Sequence, residues 1–547
     1  MTSPYSRFLA TTTPQSEKED PRQVANSAGG FTFVVDDQAR LERFLILGTD
    51  GGTYYIGERD LTKSNTEFIV ELISRNETLV FDVTREISTS GRAYRNSAAI
   101  FVTALMLKHA TDKARARSLV NEVCRISTHL FELATYIEHL GGWGRGKREA
   151  IAEWYTSKST DALAYQTIKY RQREGWTHRD LFRLSHPKGV DRNVGTFILG
   201  HGDLVGEFPP IIHAFRLAQY AKSVAHVLEV LNGSPNLPWE AIPTQFLKDA
   251  DVWKKLFYNG QLNGQALVRN ITRLSRINAF DDMVFARDYA NKLTDEQMIS
   301  RTKLHPIQYL LAAVVHERGQ KDREGYLSYK KDWTTVPVIV DALNEGFRLA
   351  FKYAEPSNKR TMVALDVSGS MSSLAAGVDL SCAELGAAMS VIVARSEPYY
   401  SIYGFSDGTD RGGRAVYMST NSYNRSILTD LGITPSMDLA TVVRKTADQN
   451  FGRTDCALPM LFAAERKLEV DTFFIFTDNE TWFGKIHPHV ALQNYRQSSG
   501  IDAKLIVAAA TATEFSIANP TDRGMLDVCG GDSNLPKLVT EFSSGRI

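Results

Sequence analysis

Thr361-Met-Val-Ala-Leu-Asp-Val-Ser-Gly-Ser-Met371 decides how the rest of the chain is read. The apolar run 362–365 has the length and bulk of a buried parallel strand. Asp366, Ser368 and Ser370 then fall in the loop leaving its carboxyl end, where open α/β sheets place their ligand sites. One carboxylate and two hydroxyls are hard oxygen donors, suited to Mg²⁺, with Mn²⁺ as an alternative, and not to zinc. The same loop also fits a Ser/Gly turn capped by its own aspartate.

Two later segments bear on that choice. Gly452-Arg-Thr-Asp-Cys-Ala-Leu-Pro459 offers Thr454 and Asp455 on a loop before a helix, and Asp471-Thr-Phe-Phe-Ile-Phe-Thr-Asp-Asn-Glu480 is a second buried strand running into Asp478. Asp-x-Ser-x-Ser, then Thr, then Asp resembles the metal-ion-dependent adhesion site of a von Willebrand factor A domain, over roughly residues 361–547. The resemblance implies direct ligation of the divalent cation by Ser368, Ser370 and Thr454, with Asp366 and Asp478 holding it directly or through water. One coordination position would stay open for a carboxylate or phosphate oxygen of a partner.

The chain has 547 residues, with 63 Lys and Arg balancing 63 Asp and Glu. That length predicts two to four domains. With no net charge there is no global field to draw it to nucleic acid or membrane, so any such binding rests on local patches. Cys124, Cys382, Cys456 and Cys529 lack pairing or metal spacing, which fits a reducing compartment. No apolar run approaches the ~20 residues of a membrane span, and 1–19 has no signal-peptide core. The expected location is cytoplasmic.

Residues 1–30, rich in Thr, Ser, Pro and Gly, are expected to form a flexible arm. From 31 to 355 the pattern is helical. Apolar residues recur at three-to-four spacing in 98–107, 118–140, 211–231, 265–277 and 307–315, with Gly or Pro breaks between. Many short-linked helices predict irregular stacked pairs of α-helical, HEAT-like repeats. A boundary is expected at Glu355-Pro-Ser-Asn-Lys359. Beyond it, over 361–547, strands and helices alternate, which predicts a doubly wound, mostly parallel sheet. A helix over 526–542 is expected to close the chain.

Residues 141–190 hold ten Lys and Arg against five Asp and Glu. Lys169 and Arg173 lie four apart, so one helix would project both from one face. Arg179, Arg183 and His186 would share a face of the next helix, which Pro187 should stop. Such a cluster can neutralise successive phosphates, and arginine can stack on bases. It also fits a solvated face paired with Glu174 and Asp180.

Five stretches resemble the Ro autoantigen family, the proteins of the TROVE module: Cys124-Arg-Ile-Ser-Thr-His-Leu-Phe131, Trp143-Gly-Arg-Gly-Lys-Arg-Glu-Ala-Ile-Ala-Glu-Trp-Tyr155, Lys169-Tyr-Arg-Gln-Arg-Glu-Gly-Trp176, Leu184-Ser-His-Pro-Lys188 and Ala266-Leu-Val-Arg-Asn270. That family also ends in a von Willebrand A domain. The resemblance implies a monomeric ring of helical repeats closed by that domain. Its outer basic surface would bind Y RNA through Lys169, Arg173 and His186, and Arg125, His129 and Arg145 fall in the same motifs. His129 and Thr128 alternatively fix helix packing. A central hole would take single-stranded 3′ ends of misfolded noncoding RNA, which makes the protein a scaffold in RNA quality control. A 3′-to-5′ exoribonuclease is the implied protein partner.

No phosphate loop, His-Glu-x-x-His or Gly-x-Ser-x-Gly motif occurs, and the chain is not expected to be an enzyme. Two other functions remain: a protein-binding adaptor that uses the metal site, and a metal-dependent ribonuclease needing two ions about 4 Å apart, with Asp455 and Glu480 as further acids. His487-Pro-His489 reads either as a metal or acid–base pair or as a helix-entry turn.

Overall fold

Strand Arg360–Asp366 pairs in parallel with Thr472–Thr477 on one side and with Tyr399–Asp407 on the other. The structure, a computed structural model, describes residues 13–49, 57–200, 207–321, 329–351, 356–373, 375, 380–407, 415–420, 425–447, 454–531 and 534–547. The sheet runs Met525–Cys529, Lys504–Ala509, Thr472–Thr477, Arg360–Asp366, Tyr399–Asp407, Arg425–Asp430, Ala415–Thr420. Its first five strands are parallel, and the last two add an antiparallel edge. Beyond Arg360 the central strands are buried throughout, which is why they read as unbroken apolar runs. Helices Cys382–Ser396, Leu458–Arg466, Pro488–Ser499 and Leu535–Ser544 accompany the sheet. A Ser381–Glu384 capping box starts the first of them.

Residues 1–66, 92–94 and 347–547 form one compact unit, and 67–91 with 95–346 form the other. The arm expected over 1–30 is therefore corrected from residue 13 onward. Phe31–Val34 pairs antiparallel with Val24–Ala25 and with Phe515–Ser516. Arg43 is buried and reaches Asp527 and the carbonyls of Thr513 and Phe515. The helical domain expected over 31–355 loses its first residues to the sheet unit for the same reason: these side chains bury against partners near residue 515. The expected closing helix over 526–542 is a strand, Met525–Cys529, then a helix, Leu535–Ser544. Gly530, with no room for a Cβ against Phe476, and positive-φ Gly531 separate the two.

The helical unit packs short helices pairwise. The expected span 118–140 is two helices, Lys113–Val123 and Ser127–His139, the first capped by Asp112. Likewise 211–231 divides into Pro210–Gln219 and Val224–Gly233. Glu58–Ser90 kinks at Asn76, whose side chain restarts the helix by accepting from the Leu79 N–H. Trp154, Tyr155, Trp253, Phe285, Tyr289 and Tyr309 are its largest buried side chains. Among the described residues no helix is long and apolar enough to cross a membrane, and no disulfide joins the four buried cysteines.

Candidate functional site

Two neighbouring strands end side by side, Arg360–Asp366 in Asp366 and Thr472–Thr477 next to Asp478. The chain departs from this pair in opposite directions across the sheet, so the carboxyl ends stand at a topological switch point. Asp366, Ser368, Ser370, Thr454 and Asp478 are all buried. Ser368 Oγ lies 3.1 Å from Ser370 Oγ and accepts from Thr454 Oγ1 at 2.8 Å. Asp366 Oδ1 accepts from the Ser368 N–H at 2.9 Å, and its Oδ2 from Thr477 Oγ1 at 2.7 Å. Asp478 Oδ1 accepts from the Glu480 N–H at 3.0 Å, while its Oδ2 has no hydrogen-bond partner among the described residues. The five predicted ligand residues thus belong to one constellation. Thr477 is a sixth member that sequence reasoning passed over, although a hydroxyl ending a buried strand beside Asp478 was a usable signal.

Electrostatics tests whether a cation fits. Burial, then repulsion from Asp478, raises the Asp366 carboxyl above its ordinary range, and burial raises Asp478. Burial with the nearby Asp478 lifts Glu480 to about 8. Two buried carboxylates facing three hydroxyls, one carboxylate oxygen unpartnered, form a hard-oxygen donor set that a divalent cation would stabilise. Among the described residues no cluster of three or more His, Cys, Asp or Glu could hold a metal. A cation held here would draw on the hydroxyls as well as the carboxylates.

His487 caps helix Pro488–Ser499, with Gln23 Nε2 3.1 Å from its Nδ1 and the Glu17 carbonyl 2.8 Å from its Nε2. Both ring nitrogens are engaged by the N-terminal segment, and the side chain makes no cap bond to the helix. Burial, then His487, pushes His489 down to about 4.

The basic residues sit on the helical unit, and the structure divides them. Helix Thr160–Lys169 stops at Lys169, and Arg173 lies in a hairpin pairing Gln172–Arg173 with Trp176–Thr177. Glu174 and Gly175, both at positive φ, make the turn. The expectation that one helix projects Lys169 and Arg173 is corrected: a Gly at the turn outcompetes helical continuation. Lys169 faces a cleft of about 690 Å³ with Asp161, Tyr165, Asn236, Gln261 and Asn263, its Nζ 3.3 Å from Tyr165 Oη. Arg173 is half-exposed, its Nε 3.6 Å from Glu174.

Arg145 and His186 line a second cleft of about 670 Å³, with Trp143, Arg148, Ser185 and Lys188. A Thr177–Asp180 capping box starts helix His178–Ser185, and His186 ends it in the left-handed conformation before Pro187. Arg145 is 94% exposed and reaches Glu149 at 2.8 Å. Trp143 meets Trp176 edge-on at 5.7 Å. Arg148 and Lys188, within quoted motifs but not singled out, complete the basic rim.

Arg125 donates to Ser88 Oγ at 2.9 Å. His129 lies 3.3 Å from the Asn96 amide. Burial, then Arg125, lowers it to about 4, so it is neutral at pH 7 and adds no charge for a phosphate.

The Ro60 vWA domain family matches residues 360–543, and the TROVE domain family matches 24–201 and 235–331. An RNA-binding protein RO60 of Deinococcus radiodurans is 38% identical over 547 residues, 98% of each chain. The chain belongs to the Ro family. A second relative, RNA-binding protein RO60 of Caenorhabditis elegans, is 34% identical across 97% of this chain and 92% of its own. The crystal structure of the Deinococcus radiodurans RO (RSR) protein superposes with a TM-score of 0.66 at 37% identity, covering 94% of this chain and all of that one.

Proposed function

We propose that this Ro protein is an RNA-binding scaffold, holding Y RNA on the rim of Arg145, Arg148, His186 and Lys188 and on the neighbouring Arg173. The observation that carries this is the cleft itself, where Arg145, Arg148, Lys188 and His186 outnumber Glu149 and Glu153 beside the Trp143 ring. Cations neutralise phosphates without reading sequence, and an indole offers a stacking surface to an unpaired base. The relatives' name, RNA-binding protein, agrees with that chemistry. Lys169, in its own cleft, is a separate contact. Single-stranded 3′ ends of misfolded noncoding RNA are the second ligand class, with a 3′-to-5′ exoribonuclease as partner. Asp366, Ser368, Ser370, Thr454 and Asp478 would hold a Mg²⁺ or Mn²⁺ ion, whose open position would accept an oxygen of a partner.

Filter binding of a labelled Y RNA tests the reading. Arg145→Glu with Lys188→Glu is expected to weaken retention at least tenfold with the circular dichroism spectrum unchanged, because both side chains are exposed. Wild-type retention by the double variant would remove this cleft from the interface. Shortening of the RNA in Mg²⁺, abolished by Asp366→Ala, would replace the scaffold with a ribonuclease.

A further inference from the structure

Gln15 is wholly buried, and its side-chain hydrogen bonds all reach residues more than 400 positions away. Its Nε2 donates to Asp455 Oδ1 at 2.8 Å and to the Ile486 carbonyl at 2.8 Å, and its Oε1 accepts from Thr481 Oγ1. Asp455 adjoins Thr454, and Thr481 follows Asp478 by three residues. One amide therefore ties two of the three loops that supply the oxygen constellation. Thr481 continues the link, its Oγ1 lying 3.3 Å from the Thr454 carbonyl, while the Phe483 N–H donates to that carbonyl at 3.1 Å.

The rest of the strap braces the same loop. Asn26 Nδ2 donates to the Thr481 carbonyl at 2.8 Å, and the Ala28 N–H donates to Glu480 Oε2 at 3.2 Å. A Cβ on Gly30 would stand 2.0 Å from the Thr481 oxygen, so the backbone approaches as only glycine permits. Gly484, at φ +133°, keeps the loop close to Gln15 and Asp455 in the same way.

We propose that Gln15 is a positioning residue of the cation site: its amide holds the Thr454 and Asp478 loops at the spacing a divalent ion needs. The proposal rests on the divalent-cation reading above. Without the Gln15 amide, Asp455 and Thr481 lose a shared partner, and the two loops are left joined through the Thr454 carbonyl and the Cys456 N–H. Metal sites depend on such outer partners, whose loss typically costs 10–100-fold in affinity.

Calorimetric titration of the full chain with Mn²⁺ alone, with melting of the metal-free protein in parallel, tests this. Gln15→Ala is expected to weaken Mn²⁺ binding at least tenfold. Gln23→Ala serves as the control, since Gln23 reaches His487 and the Glu19 and Asp20 amides but no ligand loop. It is expected to lower the melting temperature while keeping affinity within twofold. Wild-type affinity in Gln15→Ala overturns the positioning role, as do equal losses in Gln15→Ala and Gln23→Ala. Unaltered binding by Ser368→Ala, or none by wild type, instead overturns the cation reading on which the proposal stands.

Discussion

His178 shows what a single buried side chain does to the pH response. Its ring lies among Phe131, Trp154 and Tyr155, with Tyr155 Oη 2.9 Å from Nδ1. Burial lowers it to about 3, whereas an unfolded histidine titrates near 6.5. Between those values the unfolded chain binds a proton that the folded chain refuses. Stability is therefore complete above about pH 6.5 and declines as pH falls toward 3, by about 2 kcal/mol at pH 5 from this residue. Six of the seven tryptophans lie in the helical unit, so tryptophan fluorescence follows its unfolding. The urea midpoint is expected to drop from pH 7.5 to 5, and to drop less in His178→Phe. Equal drops in the two proteins would exclude this histidine as a source. Legibility also differs residue by residue. Asp366, Ser368 and Ser370 are readable because a turn gathers neighbours in sequence, Asp478 because it ends a second apolar run, and Thr454 only as the middle member of the three-loop pattern. Gln15 carries no signal, since an isolated glutamine in a polar stretch looks alike whether solvated or buried.

Helices and strands were legible where one face or both faces are buried. The central strands Arg360–Asp366 and Thr472–Thr477 stand out as apolar runs, and 98–107 as a buried helix. Boundaries were less legible because they depend on local competition. At Lys169 a helical pattern yields to a Gly175 turn, and 118–140 breaks at Cys124, whose carbonyl accepts from Trp154 Nε1. The strand Met525–Cys529 is short, and it completes the sheet only through a parallel neighbour twenty residues earlier. The contact between helix Cys382–Ser396 and strand Thr472–Thr477 gives a prediction at this scale. A Cβ at Gly386 would stand 2.4 Å from the Phe476 ring, which Gly530 confines from another side. Overpacking of this kind costs about 1–3 kcal/mol. Gly386→Ala is thus expected to lower the melting temperature of the sheet unit by several degrees in calorimetry. An unchanged transition would mean that Phe476 has room to move.

For the whole molecule, composition predicted a neutral protein with only local fields, and the basic rim around Trp143 is such a field. The two compact units exchange at 346/347, short of the change of periodicity read near residue 355. The return of the first residues to the sheet unit was not legible, because its contacts join positions separated by more than 400 residues and no local pattern encodes them. If RNA is held through phosphates, binding releases counterions and affinity must depend on salt. The most direct test is Y RNA affinity measured from 50 to 200 mM salt for wild type and for Arg145→Glu with Lys188→Glu. The account predicts a steep fall for wild type and a log–log slope shallower by about 1 for each phosphate contact removed. A flat wild-type response, or identical slopes for the two proteins, would contradict it.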